Sequence, residues 1–291
     1  MRRLLIIGCG DVALRALPLL RRRYRIYALT HSQERAPVLR AQGVLPISGN
    51  LDEPSTLRGL AGIAHDVLHC APPPSHGSCD SRTAHLIAAL ARAQSLPQQL
   101  VYISTSGVYG DCHGAWVEET QPLRPETARA GRRVDAEHRL RQWGQRSGVG
   151  ICVLRAPGIY SELRLPLKRL REGTPALRAE DDAFTNHIHA DDLARMAVAA
   201  LSFSPACRIY NASDDSVLMM GDYFDLVADR FGLPRPPRVS RAEAGTRIAP
   251  ALLSFMSESR RLSNQRIKRE LSFQLCYPTV RDGIAAVAGG V

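Results

Sequence analysis

The segment Gly8–Ala13, with the sequence Gly-Cys-Gly-Asp-Val-Ala, has the residue types and spacing of a loop that binds a pyrophosphate. It follows the apolar run LLII and precedes a segment whose apolar residues recur at helical spacing. In such a loop the first glycine permits a tight turn, the second lets the backbone approach the phosphates, and the small third residue lets helix and strand pack closely. The helix then directs unpaired N–H groups toward the anion. An ordinary glycine turn is the alternative to a dinucleotide site formed by Gly8, Gly10, Asp11, Val12 and Ala13.

The segment YALTHSQER, at the end of the second predicted strand, bears on the choice between NAD and NADP. An NAD-binding loop is usually followed, about 20 residues later, by an acidic residue that binds the ribose 2′-hydroxyl. Thr30, His31 and Ser32 occupy this place, and Arg35 follows. The missing acid removes a repulsion against a 2′-phosphate, which Ser32 and Arg35 have the polar groups to bind. We therefore favour NADP(H) over NAD(H), with a solvated helix-surface charge as the alternative for Arg35.

Further predicted cofactor contacts follow the third and fourth strands. The side-chain oxygen of Asn50 can accept a hydrogen bond from the adenine amino group, or it can form a turn before the next helix. Leu51 is its neighbour in this predicted contact. Ala71 is small enough to let the backbone approach the cofactor, while Pro72 and the prolines after it stiffen the loop.

Two kinds of segment alternate along the first two-thirds of the chain. The predicted strands are LLIIG, RIYALT, GVLPIS, DVLHCA, QLVYIST and GICVLRA. The predicted helices between them are VALRALPLLRRR, ERAPVLRAQ, SRTAHLIAALARAQ and RRVDAEHRLRQWGQRSG. This alternation predicts an α/β fold, a Rossmann-type doubly wound parallel sheet with helices on both faces. The strands show little polar alternation, as expected for strands that are buried on both sides.

The pattern changes after Arg155, which predicts a smaller C-terminal substrate lobe. We place the dinucleotide-binding domain at residues 1–156 and the lobe mainly at residues 157–291. A helix at ADDLARMAVAALS and a strand at RIYNAS, within residues 189–212, are predicted to return to the first domain.

Composition excludes several functional classes. The chain has 291 residues, of which 45% are hydrophobic and 23% charged, and no apolar run approaches the roughly 20 residues of a membrane span. The run LLII is shorter than the about 7–15 residues of a signal-peptide core, so we expect a cytoplasmic protein. The net charge of +10 suggests nucleic acid, but the arginines are dispersed and aromatic residues are only 5%, so we predict no nucleic-acid partner. The seven cysteines form no C-x-x-C pair.

Five motifs, taken in order, resemble the extended short-chain dehydrogenase/reductase family, which contains the NAD-dependent nucleotide-sugar epimerases and dehydratases. The glycine loop is similar to that family's first motif. The others are YISTSGVYGDCHG, WVEETQPLRP, RAPGIY and NHIHADDLA. The resemblance implies that the hydroxyl of Thr105 or Ser106 binds the reacting group of the substrate. A hydroxyl that only finishes a strand is the alternative.

The chain departs from this family where the family has Tyr-x-x-x-Lys. Aligning the family's helix on Ala-Glu at its downstream end places Arg129 at the tyrosine position and Arg133 at the lysine position. A shift by one residue places Ala130 and Val134 there, and neither alignment restores the pair. Arginine cannot act as a general acid near neutral pH, because its pKa exceeds about 12. Arg133 is still able to bind the cofactor, and Arg129 an anionic substrate; a solvated basic helix face is the alternative.

Other residues of the resemblance have expected roles in the cleft. Tyr109 and Tyr160 are the two candidate replacements for the missing acid, with a packing or substrate-lining role as the alternative. Tyr160 and His187 are expected to line the substrate site. His187 and His189 alternate about Ile188, but a full ligand set is not visible and we predict no metal. The arginines of SESRRLSNQRIKREL have two interpretations, contact with a substrate diphosphate or plain surface charge.

Two functions remain open at this point. The first, which we favour, is an NAD(P)-dependent oxidoreductase or epimerase-type enzyme with a degenerate active site, acting on a phosphorylated small molecule or nucleotide sugar. The retained Thr105 and Ser106 favour it. The second is a non-catalytic NADP(H) sensor, favoured by Arg129 and Arg133. The resemblance also implies a homodimer.

Overall fold

A central parallel sheet organises the chain, which a computed structural model describes over residues 1–203, 206–249, 253 and 256–287. The seven strands of this sheet lie in the order β3-β2-β1-β4-β5-β7-β12. Their bounds are β1 Arg2–Ile7, β2 Tyr24–Thr30, β3 Leu45–Ser48, β4 Asp66–His69, β5 Gln99–Thr105, β7 Gly150–Ala156 and β12 Cys207–Asn211. Every neighbouring pair is parallel, so the predicted Rossmann-type α/β fold is confirmed.

Helices cover both faces of this sheet and continue into the C-terminal half. Their bounds are α1 Asp11–Leu20, α2 Arg35–Ala41, α3 Ser81–Leu90, α4 Ala128–Ser147, α5 Leu167–Arg171, α6 Ala190–Ser202, α7 Met220–Arg230, α8 Arg241–Arg247, α9 Gln265–Leu271 and α10 Val280–Ala286. Segments of 3₁₀ helix span Pro54–Leu60 and Ser106–Tyr109. Within the described ranges, no helix combines the length and the apolar character that crossing a bilayer would require.

Short strand pairs connect the C-terminal half to the loops that follow the sheet. The strands are β6 Trp116–Val117, β8 Gly158–Tyr160, β9 Ala176–Leu177, β10 Phe184–Thr185, β11 His187–His189, β13 Leu218–Met219, β14 Arg238–Val239 and β15 Arg261–Leu262. β6 pairs with β15, β8 with β11, β9 with β14, and β10 with β13. The pairing of β6 with β15 joins residues more than a hundred positions apart and brings the C-terminal basic stretch beside the end of β5.

Burial on both faces explains the apolar strands. In β1, Leu4 and Ile6 enter the core on one face of the sheet, while Leu5 and Ile7 enter the core on the other. Successive side chains of a strand point to opposite faces, so a run of four apolar residues serves two cores at once. A separate apolar core, which includes Tyr160 and Phe224, lies in the C-terminal half.

The chain returns to the central sheet at α6 and β12, after the short strands that follow β7. α6 packs in the same core as α1, and β12 extends the sheet beside β7. Both elements fall in the segment predicted to return, although the domain boundaries at residues 156 and 157 stay a prediction.

The start and end of α4 are set by its caps. The Thr127 side chain accepts a hydrogen bond from the Ala130 N–H at 3.2 Å, which satisfies one of the free donors of the first turn. At the other end Gly148 adopts the left-handed conformation that helices commonly use to terminate. Arg129 therefore lies in the first turn of α4, and Arg133 lies one turn further on.

A buried ion pair fastens α4 to the sheet. Arg155 on β7 donates from Nη2 to Glu137 Oε2 at 2.7 Å, and both side chains are almost completely inaccessible to solvent. Ser104 on β5 donates to the other carboxylate oxygen at 2.6 Å. Arg155 also donates to the Tyr109 hydroxyl, which in turn donates to Asn211. Because the charges and donors are satisfied within this network, removal of one partner leaves an uncompensated charge in the interior.

Glu137→Gln is therefore expected to lower the free energy of unfolding by about 3–5 kcal/mol, the usual cost of breaking a buried ion pair from one side. Urea denaturation of the wild type and the variant measures this difference. Replacing both partners by apolar residues, Glu137→Leu with Arg155→Met, should recover part of the loss.

Asp229→Asn provides the matched control, because its ion pair with Arg235 is exposed. It should change the denaturation midpoint little, since solvent screens an exposed pair. An equal loss in Glu137→Gln and Asp229→Asn would contradict the assignment.

Candidate cofactor and substrate site

The glycine loop requires Gly8 for two independent reasons. Its φ of +84° lies in the left-handed region that favours glycine, and a Cβ at this position would lie 2.5 Å from the backbone nitrogen of Ala71. Ala71 follows β4 and donates from its N–H to the Ile7 carbonyl at 3.0 Å. Since β1 and β4 are neighbours at the point where the strand order reverses, this close approach forms the floor of the crevice where doubly wound sheets bind ligands.

Gly10 leaves the upper side of the loop open. A Cβ at Gly10 would meet no atom within 4 Å, so the absent side chain leaves space rather than relieving a contact. The first intrahelical bond of α1 runs from Leu14 N–H to the Gly10 carbonyl at 2.9 Å. The N–H groups between them have no partner within the helix and are available to an anion.

A cavity of about 240 Å³, here called the dinucleotide cavity, extends from this loop toward the end of β5. Its lining residues come from the ends of β1, β4, β5 and β7, from the start of α1, from α4, and from β8 and the loop after it. They are Gly8, Gly10, Asp11, Val12, Ala13, Cys70, Ile103, Ser104, Thr105, Arg133, Ala156, Pro157, Ile159 and Arg164. The structure thus brings the predicted glycine-loop residues together with Thr105 and Arg133.

Arg133 is held at the wall of the dinucleotide cavity by two bonds from one nitrogen. Its Nη1 donates to the Tyr102 hydroxyl at 2.9 Å and to the Ile103 carbonyl at 2.8 Å. These contacts direct the guanidinium to the end of β5 and fix its position before any ligand binds.

The predicted contacts for the adenosine end lie beside the loop rather than in the dinucleotide cavity. Arg35 reaches from α2 and donates from Nη2 to the Cys9 carbonyl at 2.7 Å. Ser32 Oγ accepts from the Arg35 N–H at 3.4 Å, and Thr30 Oγ1 accepts from the Ser32 N–H at 3.2 Å. Thr30, Ser32 and Arg35 therefore form one connected group next to the glycine loop.

Asn50 forms the turn that was its alternative interpretation. Its side-chain oxygen accepts from the Asp52 N–H at 3.0 Å, and its amide nitrogen donates to Glu53 at 3.0 Å. Leu51 is buried in the core on the α3 side of the sheet. Pro72 lies exposed in the loop after β4, where its carbonyl accepts from Arg82 at 3.3 Å.

A second cavity of about 310 Å³, here called the substrate cavity, adjoins the first. Its lining residues are Thr105, Ser106, Gly107, Thr127, Arg129, Ala130, Pro157, Gly158, Phe184, Thr185, Asn186, His187, Met220, Phe224, Glu258 and Arg260. Thr105 and Pro157 line both cavities. A ligand in one cavity is therefore in reach of a ligand in the other at the end of β5.

The two predicted hydroxyls lie at this junction. Thr105 Oγ1 accepts from the Gly107 N–H at 3.3 Å and caps the following 3₁₀ turn. This capping bond is the structural alternative foreseen for the residue. It occupies a lone pair and leaves the hydroxyl proton available as a donor. Ser106 is buried but also lines the substrate cavity.

His187 lines the substrate cavity as a neutral imidazole. Burial lowers its pKa to about 3, so the ring is uncharged near neutral pH. The ring packs against Tyr223 with centroids 4.1 Å apart. Its Nδ1 is buried and has no hydrogen-bond partner among the residues that the structure describes.

Tyr109 and Tyr160 are not among the residues that line the substrate cavity. Tyr109 is buried, its hydroxyl donates to Asn211 at 2.7 Å, and burial raises its pKa to about 12. Tyr160 packs in the C-terminal core and donates to the Thr279 carbonyl at 3.3 Å. Both hydroxyls are therefore bound by acceptors within the protein.

Glu258 and Arg260 form an ion pair in the wall of the substrate cavity, and the sequence singled out only Arg260 of the two. Arg260 Nη2 donates to Glu258 at 2.7 Å, and both side chains are about nine-tenths buried. Arg260 Nη1 also donates to the Gly110 carbonyl, which ties the basic stretch to the loop after β5. Arg260 belongs to the run of arginines for which substrate contact was one of two interpretations. Glu258 carries no sequence signal that distinguishes it from other surface acids.

No group of three or more metal-binding side chains comes together in the part of the chain that the structure describes. His189 instead caps α6, since its Nδ1 accepts from the Asp191 N–H at 3.2 Å.

Comparison with known proteins identifies relatives over the whole chain. Residues 15–213 match the model of the NAD dependent epimerase/dehydratase family, a match that begins just after the glycine loop. A functionally unknown conserved protein from Silicibacter pomeroyi is 31% identical, with a TM-score of 0.82 over 99% of this chain and 98% of that one. No curated protein matches at a significant level.

More distant structures share the fold. A putative NAD-dependent epimerase/dehydratase from Methylobacillus flagellatus is 24% identical, with a TM-score of 0.76 over 98% of this chain and 97% of that chain. The structure of MoeE5 in complex with UDP-glucose and NAD is 19% identical, with a TM-score of 0.75 over 97% of this chain and 96% of that chain.

Asp214, whose N–H donates to the His187 carbonyl at 2.8 Å, gives a pH-dependent prediction. Its Oδ1 accepts from Ser216, but its buried Oδ2 has no partner among the described residues. Burial, followed by the nearby carboxylates of Asp215 and Asp192, raises its pKa to about 8. The unfolded value is about 3.9, so the folded state binds this proton more tightly and stability falls as pH rises through the window between them.

The asparagine of Asp214→Asn does not titrate. The free energy of unfolding of the variant should therefore rise relative to that of the wild type as pH increases from about 4 to about 8, by at most about 1.4 kcal/mol per pH unit. Urea midpoints at both ends of this window measure the difference. A difference that does not change with pH would show that Asp214 is ionised in the folded protein.

Proposed function

The chain belongs to the NAD dependent epimerase/dehydratase family, and we propose that it is an NADP(H)-binding enzyme that acts on a phosphorylated small molecule such as a nucleotide sugar. The observation that carries this proposal is the junction of the two cavities at Thr105 and Pro157. One cavity begins at a loop built for a pyrophosphate, and the other is lined by arginines. The junction lies between them, where a substrate and a nicotinamide would meet.

The residues of the dinucleotide cavity fit a nicotinamide dinucleotide. Gly8 lets the loop pack closely against Ala71, Gly10 leaves the loop open to the pyrophosphate, and the N-terminus of α1 offers its N–H groups. Arg133, in the place that the resemblance gives to the family's lysine, is fixed where it can donate to the nicotinamide ribose. When bound, the nicotinamide supplies the exchange of a hydride with the substrate.

Preference for NADP(H) is supported by the group formed by Thr30, Ser32 and Arg35. Arg35 already extends across the end of β2 to the loop, so its guanidinium is close to the ribose of a dinucleotide bound there. Ser32 adds a hydroxyl at the same place. The neighbouring carboxylate in the sequence, Glu34, is exposed to solvent.

An anionic substrate is supported by the charges of the substrate cavity. Arg129 and Arg260 line it, and Glu258 offsets the second of these. MoeE5 has been solved with UDP-glucose and with UDP-glucuronic acid, each together with NAD. A sugar diphosphate of that class would place its phosphates against the arginines and its sugar against Thr105 and Ser106.

Proton transfer in this enzyme would use a group other than the family's tyrosine. The alignment puts Arg129 at that position, and its guanidinium keeps its protons at neutral pH. Glu258 is the carboxylate that lines the substrate cavity and would accept this proton, because an arginine side chain offers no acceptor atom and burial lowers the pKa of His187. Thr105 would hold the reacting oxygen by a hydrogen bond.

The alternative function is a non-catalytic NADP(H) sensor, favoured by arginines at both positions of the missing pair. If the chain is an enzyme, we expect it to consume or form NADPH with a nucleotide sugar, or to isomerise that nucleotide sugar. A sensor predicts dinucleotide binding without turnover of any of them.

Gly10→Val tests the dinucleotide site without disturbing the fold. The backbone of Gly10, with φ of −93°, is open to any residue, and the new side chain would project into free space. The variant should keep the melting temperature of the wild type but lose binding of NADPH, NADH, NADP⁺ and NAD⁺, because the side chain fills the place of the pyrophosphate. Cofactor fluorescence and calorimetric titration measure the loss.

Gly59→Ala serves as the control, because a Cβ there also meets no neighbour. The proposal fails if the wild type binds none of the four dinucleotides at millimolar concentration.

Arg35→Ala tests cofactor choice. It should weaken NADPH binding about tenfold to a hundredfold and NADH binding much less, since a charge-assisted hydrogen bond contributes about 1.5–3 kcal/mol. The ratio of the two dissociation constants is the readout, because loss of the Cys9 contact would affect both cofactors alike. Arg40→Ala, an exposed change on the same helix, should leave the ratio unaltered. A wild type that prefers NADH would contradict the assignment.

A further inference from the structure

The loop after β8, residues 161–166, is fastened across the N-terminus of α1. Arg15 on α1 donates to Asp11 Oδ1 at 2.8 Å and to Asp191 on α6 at 2.6 Å. Its third nitrogen contacts Glu162 of the loop. One half-buried guanidinium thus joins two helices and the loop through three carboxylates.

Arg164 of this loop faces the glycine loop. Its Nε lies 3.2 Å from Asp11 Oδ2, and its side chain lines the dinucleotide cavity together with Gly8 and Gly10. Beyond Asp11, the Arg164 guanidinium has no ion pair or hydrogen bond with any residue that the structure describes. Its remaining N–H groups are free to bind a ligand in the cavity.

The carboxylate of Asp11 makes this cation necessary. Asp11 is in the first turn of α1, beside the place where a pyrophosphate would meet the glycine loop. The carboxylate and the pyrophosphate are both negatively charged, so they would repel each other. Arg15 does not offset the repulsion, because three carboxylates already share its charge. Arg164 contacts Asp11 alone and therefore has positive charge to offer on the cavity side.

We propose that Arg164 binds the pyrophosphate of the dinucleotide from the side opposite the glycine loop, bridging it to Asp11. The inference rests on the proposed function, because it requires a dinucleotide in the cavity. It assigns a cofactor contact to a loop of the C-terminal half, outside the glycine motif. An arginine suits this place, since its planar guanidinium forms paired bonds to a carboxylate and a phosphate at once.

Arg164→Gln tests the contact with three probes. ADP-ribose contains the pyrophosphate but no nicotinamide, and adenosine 2′-monophosphate lacks the pyrophosphate. The variant should weaken binding of NADPH and ADP-ribose about tenfold to a hundredfold and leave adenosine 2′-monophosphate unchanged. Isothermal titration at fixed ionic strength gives the three dissociation constants.

Asp11→Asn distinguishes a phosphate contact from a structural role. The asparagine oxygen still accepts from Arg15, but the charge that repels the pyrophosphate is gone. In the Arg164→Gln background, Asp11→Asn should therefore recover at least part of the lost affinity for ADP-ribose. If Arg164 only supported the loop, Asp11→Asn would change the affinity for ADP-ribose equally in the wild-type and Arg164→Gln backgrounds, whereas a phosphate contact predicts a larger gain in the Arg164→Gln background.

Lys168→Gln is the matched control, because it removes one exposed charge just beyond the same loop. It should leave all three dissociation constants unchanged. Unchanged ADP-ribose binding in Arg164→Gln would overturn the inference, as would equal weakening of ADP-ribose and adenosine 2′-monophosphate. Absence of any dinucleotide binding by the wild type would instead overturn the proposed function.

Discussion

The buried ion pair between Arg155 and Glu137 fixes the geometry of the whole cleft. It holds α4 against β5 and β7 at one point, with Ser104 completing the carboxylate's bonds. Arg129, Arg133 and Glu137 are spaced four residues apart, so they lie along one face of the helix. Once Glu137 is anchored, Arg133 must face the dinucleotide cavity and Arg129 the substrate cavity. A displacement of α4 would therefore move both cationic side chains together.

Hydrogen-bond donors or positively charged side chains line the cleft at three places. The glycine loop offers backbone N–H groups, Arg133 and Arg164 line the same cavity, and Arg129 and Arg260 line the next one. Local carboxylates keep these cations in position: Asp11 orients Arg164, and Glu258 orients Arg260. Such pairing limits the mobility of the side chains and exposes only part of each guanidinium to a ligand. In this region, several arginines of this basic chain line the two cavities in which small anions are proposed to bind.

The sequence predicted the sheet and the glycine loop well, but it predicted side-chain roles unevenly. Runs such as LLII and GICVLRA indicate buried strands because the signal is local and repeated in each element. Tyr109 looked like a candidate acid because it follows β5, yet its hydroxyl bonds to Asn211, a hundred residues away in the chain. Glu258 was missed for the converse reason: it reaches the cavity only because β15 pairs with β6.

The sequence by itself therefore determined the fold class, the position of the glycine loop after β1 and the family, since each motif involved consists of residues that are close together in the chain. Tertiary structure alone decided which hydroxyls and charges reach the cleft. The hydroxyls of Tyr109 and Tyr160 are bound inside the protein by acceptors that are distant in sequence. Loops of the C-terminal half place Arg164 and Glu258 at the cavities. The physical reason is that a buried polar group must find a partner, and in this chain the partners lie far away in sequence.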